Sequence, residues 1–288
     1  MIYLLFSILS STILFVVFKL FDRFKVDRLQ AIVVNYVTAA SLGLVLYRGE
    51  VALSEWQTQP WLPYAACLGA LFIAIFNLMA LTTQRLGLSV VSVATKMSLV
   101  VPIVFGLIYY RESAGTLRIV GIITALISVY LVTVKEKGFK GMGRRGLLLP
   151  LLVFLGSGVI DTSLKFLEDR FVPQQDVPLF SAVIFGSAAL FGLTILTYRY
   201  LSSGALISAR SILGGLALGI PNYFSVFFLI RALKSGLLES SGIFTVNNVA
   251  IVVGSTLIGV WAFSERPEPR NWLGVILAVL SILAVSLG

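Results

Sequence analysis

Three ionisable side chains sit inside long apolar runs: Lys96, Asp161 and Lys165. A charge at the centre of a hydrocarbon layer costs about 2.5–3.5 kcal/mol on insertion scales, so such residues face a cavity or a partner. Asp161 and Lys165 are four positions apart, which puts them on one face of one helix, where opposite charges pair. Two roles are open to them: a self-neutralising pair with Lys165 reaching outward, or functional work by Asp161. Lys96 lies roughly 13 Å along its own run at 1.5 Å per residue, and no acidic residue stands within four positions of it. Its chemistry is that of a compact cation that can hold a carboxylate. Uncharged polar groups recur at similar depth as Asn35-Tyr36, Asn77, Asn222-Tyr223 and Asn247-Asn248. They can line a polar cavity or hydrogen-bond between helices.

This set binds rather than reacts. Histidine is absent and Cys67 is the single cysteine. The commonest general base and metal ligand are therefore missing, and so is any thiolate cluster. No catalytic residue, metal or cofactor is expected, since nothing resembles a phosphate loop, a dinucleotide fingerprint or a Ser-His-Asp set.

The elements that carry these residues are bilayer spans. Apolar residues make up 58% of the 288 and charged residues 12%, against roughly a quarter charged in soluble domains. The mean hydropathy is +0.98. A span needs about 20 apolar residues. Ten runs qualify, near 2–21, 29–47, 62–84, 87–110, 116–134, 147–167, 177–198, 211–233, 237–263 and 271–287. The first precedes the basic cluster Lys19, Arg23, Lys25 and Arg28. That is the reverse of signal-peptide order, so a first spanning helix is expected instead. The net charge of +9 reads as loop charge facing the cytoplasm, not as a nucleic-acid surface.

The runs repeat. GIITALISVYLV at 121–132 returns as GVILAVLSILAV at 274–285, and LGALFIAIFN at 68–77 as LGGLALGIPN at 213–222. RLGLS at 85–89 and SLGL at 41–44 return as KSGLL at 234–238 and LFGL at 190–193, in the same order. Residues 1–140 and 146–288 thus form two halves joined by a basic linker over 135–145. Each half holds five spans, and an odd number inverts the second half relative to the first. The expected fold is an all-α integral membrane protein of ten transmembrane helices in two inverted five-helix repeats. Thr245 stands where Lys96 would repeat, so that charge breaks the symmetry. Gly121 with Ala125 and Gly274 with Ala278 are small-residue pairs that can join spans 5 and 10, or two protomers. Glu112, Glu239 and Glu265 fall at span ends, where interfacial or helix-capping roles are expected.

One pattern occurs in both halves. The first copy reads Leu86-Gly87-Leu88-Ser89, Pro102, Tyr110-Arg111-Glu112 and Gly121; the second reads Ser235-Gly236-Leu237, Ser264-Glu265-Arg266 and Gly274. With ten spans, this resembles the EamA family of the drug/metabolite transporter superfamily over essentially the whole chain. The second copy departs from it with Ile251 or Val252 in place of Pro102, and span 1 carries Ser10-Ser11-Thr12. The resemblance implies a secondary transporter, often an exporter of amino acids or related solutes. It also implies a central cavity made by spans 1–4 and 6–9, with spans 5 and 10 peripheral.

The expected function is secondary active export of a small, carboxylate-bearing metabolite by alternating access around a midplane cavity. The substrate-binding candidates are Lys96, Asp161, Lys165, Asn77, Asn222, Tyr223, Asn247, Asn248, Asn35 and Tyr36. Asp161 is the proton-coupling candidate. The expected partners are the solute and the bilayer, with the chain a monomer or weak homodimer. A passive channel or scaffold is the alternative, and an integral membrane enzyme a more distant one. Loops after odd-numbered spans carry more Lys and Arg than those after even ones, which places both termini outside the plasma (inner) membrane. A single cysteine at Gly141, in a Cys67→Ser background, should therefore escape an impermeant maleimide in intact cells and react after permeabilisation.

Overall fold

The computed structural model describes residues 2–47, 59–109, 115–133, 145–172, 177–204, 206–233, 235 and 240–287. Within these it is all helical: α1 Ile2–Arg23, α2 Arg28–Leu46, α3 Leu62–Leu86, α4 Leu88–Met97, α5 Val100–Tyr109, α6 Thr116–Thr133, α7 Arg145–Phe171, α8 Val177–Ser203, α9 Ala209–Leu233, α10 Ser240–Phe263 and α11 Pro269–Leu287. The linker expectation over 135–145 lies almost wholly outside the described residues, as do Tyr110-Arg111-Glu112, Gly236-Leu237 and Glu239.

Eight apolar stretches are long enough to cross a membrane, and two shorter ones, Ile119–Val132 and Pro269–Ala284, fall in α6 and α11. The expected fourth span, 87–110, is not one helix. It breaks at Ser98 and Leu99, between α4 and α5. Pro102 explains the break. A proline has no N–H to give the carbonyl four residues back, and its ring crowds that carbonyl. The carbonyl of Ser98 instead accepts from Val101 N–H at 2.8 Å, a tighter turn. Pro150 and Pro221 lie within α7 and α9, which continue through them.

The chain divides into two compact units. The first comprises Met1–Lys19, Leu78–Val159 and Phe224–Gly288, the second Leu20–Asn77 and Ile160–Tyr223.

In the first unit, α6 packs along α11, and α10 packs against α4 and α11. Lipid tails are as apolar as leucine, so close approach between small residues holds spans together. Ala125 and Ala278 are fully buried in this contact, and the Ser281 hydroxyl donates to Gly121 O at 2.8 Å. The two small-residue stripes therefore join spans within one chain. The start of α11 is built by Pro269 and Asn271. Pro fits the first helical position, where no N–H is needed. The Asn271 carbonyl oxygen accepts Glu268 N–H at 2.9 Å, the returning half of a capping box. Its amide nitrogen donates to Leu131 O and Val132 O, both at 3.0 Å, covering carbonyls at the end of α6.

In the second unit, α2 packs along α8. Trp61, Leu68, Leu179, Phe180 and Ile184 form its buried cluster. Helix α1 ends with Lys25 at φ 52°, Val26 N–H bonded to Phe21 O and Lys25 N–H to Asp22 O, a Schellman close. Asp27 then caps α2 by accepting Gln30 N–H at 3.0 Å.

The α6–α11 contact leaves no room at Gly274, where an added Cβ would lie 2.6 Å from Val132 Cγ2 and 2.8 Å from Val132 N. Gly274→Leu should lower thermal stability in detergent by about 1–3 kcal/mol, the usual cost of overpacking. Gly186→Ala should not, because nothing lies within 4 Å of that position.

Candidate functional site

The second unit assembles an amide pair. Asn35, in the middle of α2, is fully buried, and Asn222 on α9 is 4% exposed. The Asn222 amide nitrogen donates to Asn35 Oδ1 at 3.1 Å. Close approach is possible because Gly219 lies one turn earlier on α9; a Cβ there would sit 2.8 Å from Asn35 O. The Asn35 amide nitrogen is buried and has no hydrogen-bond partner among the described residues.

Beside the pair, the Tyr36 hydroxyl donates to Phe72 O at 3.0 Å. Its ring lies 5.3 Å from Phe76 and 6.0 Å from Phe185, centroid to centroid. Tyr223 follows Asn222 on α9 and is half-buried. The second unit thus holds a buried neutral amide pair and, around Tyr36, an aromatic cluster.

The first unit assembles a different group. The Ser7 hydroxyl, on α1, lies 2.9 Å from Ser225 O and 3.2 Å from Asn247 Oδ1 on α10. Ser7 and Asn247 are buried, and Asn248 is half-buried. Ser7 and Ser225 carry no signal in the sequence, because serine is common in membrane helices and neither stands by a charge or a proline.

Lys96 occupies the last turn of α4, half-buried, directly before the break. A cation at a helix C-terminus is favoured by the helix dipole. That interaction depends on the break, which an unbroken span would not have supplied. Asp161 lies on α7 and is exposed; the side chain of Lys165 lies outside the described residues. Asn77, the repeat counterpart of Asn222, does not join the amide pair. Its amide nitrogen donates to Ile73 O at 2.8 Å, within its own helix.

Of Glu112, Glu239 and Glu265, expected at span ends in interfacial or capping roles, Glu265 lies among the described residues and caps a helix. Its Oε1 accepts Leu88 N–H at 2.9 Å at the start of α4 and Lys19 Nζ at 3.0 Å from α1. Gly87 makes this possible, with φ 104° and space that a Cβ would fill at 2.7 Å from Glu265 Oε1. The residues of the clasp were visible in the sequence, but their meeting was not.

No family model matches the chain. It is 27% identical over 98% of its length to an uncharacterized protein of Haemophilus influenzae, 96% of which is covered. It is 26% identical to the glucose uptake protein GlcU of Bacillus subtilis, over 70% of this chain and 69% of that one. A crystal structure aligns over 98% of both chains with a TM-score of 0.57 and 17% sequence identity, a likeness of fold. The chain is a multi-pass membrane protein. Its long apolar helices and its resemblance to a transport protein both carry that conclusion.

If the amide pair contributes to stability, its two residues are energetically coupled. Asn35→Ala and Asn222→Ala should each destabilise the protein, and the double variant should cost less than their sum by about 0.6 kcal/mol, typical of such bonds in membrane proteins. Thermal unfolding of the four-protein cycle measures the coupling, and strict additivity would show the pair to be independent.

Proposed function

We propose that the chain is a secondary active transporter that exports a small polar metabolite by alternating access between its two sequence-related halves. One observation carries the reading. Within each unit, polar bonds between helices cross from the first half of the sequence to the second. Asn35 meets Asn222, Ser7 meets Asn247, Leu131 and Val132 meet Asn271, and Gly121 meets Ser281. Halves joined through polar side chains suit a site between repeats.

The division into units supports the inverted-repeat arrangement. Helices α1 and α7, equivalents in the repeat, both contribute to each unit, as do equivalents α3 and α9. Equivalents α2 and α8 fall together in the second unit, while α6 and α11 fall together in the first. The EamA-like architecture is proposed on this pattern and on the doubled motifs.

The broken fourth span supports a binding role for Lys96, since transporters bind solutes at interrupted helices. On this reading Lys96 anchors a substrate carboxylate, and Asp161 is the proposed proton carrier on α7. A sugar is the second reading. It is favoured by the similarity to the glucose uptake protein, by the unpartnered Asn35 amide and by the aromatic cluster around Tyr36 on the same helix. An integral membrane enzyme is the more distant reading; among the described residues no group of three His, Cys, Asp or Glu could hold a metal ion.

The test separates substrate anchoring from dipole compensation. A thermal-shift screen with amino acids, carboxylates and glucose selects a solute for uptake into proteoliposomes. Lys96→Arg and Lys96→Ala should then both reduce transport by at least about tenfold, as expected when a point-charge contact is lost, with unfolding temperatures near the parent's. Full transport by Lys96→Arg would show that any cation at the end of α4 suffices. Stabilisation by glucose alone, with transport indifferent to both changes, would favour the sugar reading.

A further inference from the structure

Within the first unit an open cavity of about 120 Å³ lies where α3 passes into α4. It is walled by the end of α1, the turn at Gly87, the first turn of α4 and the connection between α10 and α11. Its charged residues are Lys19, Arg85, Arg266 and Glu265. Three cations therefore face one carboxylate.

The carboxylate is committed. Glu265 takes Lys19 Nζ at 3.0 Å and Leu88 N–H at 2.9 Å, so it satisfies the helix end and the lysine together. Arg85 and Arg266 are left. Both are exposed, and neither is in an ion pair among the described residues. Two guanidinium groups without counter-charge on one small cavity repel each other and attract an anion.

A second observation comes from a neutral residue. Ser89, in the first turn of α4, lines the same cavity and is 6% exposed. Its hydroxyl is buried and has no hydrogen-bond partner among the described residues. A buried hydroxyl left without a partner is destabilising, and a ligand oxygen in the cavity would satisfy it.

We propose that this cavity is a binding site for a phosphate group, held by Arg85, Arg266 and the Ser89 hydroxyl. A guanidinium presents a planar fork of donors that matches phosphate oxygens. A tetrahedral anion has enough oxygens to engage two such forks and a hydroxyl at once, whereas a carboxylate has only two. Bound there, phosphate links the end of α3, through Arg85, to the α10–α11 connection, through Arg266. The phosphate has two possible sources, the headgroup of an anionic phospholipid or a soluble phosphate compound.

The experiment measures thermal unfolding of the full-length protein in nanodiscs at fixed ionic strength. One arm adds inorganic phosphate to phosphatidylcholine discs, with chloride as the reference. The other replaces phosphatidylcholine by phosphatidylglycerol without added phosphate. Stabilisation in the first arm alone identifies a soluble phosphate ligand, and in the second alone a lipid headgroup; a response in both supports the site with either source. Arg85→Gln and Arg266→Gln should each weaken the response about tenfold, the loss expected for one charge-assisted bond, and Ser89→Ala by less. Both arginines are exposed, so these variants should fold. Arg270→Gln removes a nearby exposed cation outside the cavity and should leave the response unchanged. No stabilisation in either arm overturns the proposal. So does a response that survives loss of both arginines, or one that Arg270→Gln weakens equally.

Discussion

Hydrocarbon offers no hydrogen bonds, so every polar group that enters the bilayer must find its partner inside the protein. This constraint accounts for many of the side-chain contacts described above. Thr38, Thr82, Thr83, Thr95 and Thr124 return their hydroxyls to carbonyls four residues back on their own helices. Those residues satisfy themselves and join nothing. The residues that hold the fold cannot do this alone. Asn271 completes the start of α11 and covers the end of α6, so one amide serves two helix termini. Glu265 covers the start of α4 and pairs with the Lys19 side chain of α1.

Helix ends carry the larger share of this burden, because four N–H and four C=O groups at each end lack partners in the helix. The first unit meets the demand with Glu265 and Asn271, the second with Asp27 on α2. Asp27 is itself steadied by Arg199 at 3.2 Å, and Gln30 ties α2 to Leu206 O and Ser208 N–H. Along the spans, contact passes instead to small residues. Gly274 against Val132 and Gly219 against Asn35 O let backbones approach to distances that a methyl group would forbid. Polar side chains and small residues are the two devices available when lipid removes the hydrophobic drive between helices.

The break between α4 and α5 joins this structural logic to the proposed function. Pro102 denies the Ser98 carbonyl its helical partner, and the helix stops one turn early. Lys96 thereby becomes a helix-terminal residue. Its charge is favoured by the dipole of α4 before any substrate is considered, which lowers the cost of keeping it within an apolar segment. The proposed function adds a substrate carboxylate to that dipole interaction.

The sequence by itself determined that the chain is helical and built for a bilayer. Composition and run length decide that, because lipid admits only segments whose backbone bonds close internally. It also determined which residue types were available, down to the expectation that Glu265 serves a helix end. Its doubled pattern picked out Asn77 and Asn222 together as equivalents, yet the two part company in the fold. Asn222 crosses to Asn35, while Asn77 bonds back to Ile73. Neither the rotation of a helix about its axis nor the partner it faces is written in hydropathy. The same holds for the interruption at Ser98, where a proline that many spans tolerate stops this one while Pro150 and Pro221 do not stop theirs. The closeness of Arg85, Arg266 and Ser89, far apart in sequence, was likewise decided only by the tertiary structure. Helix packing sets such encounters, and packing depends on shape at every neighbouring position at once.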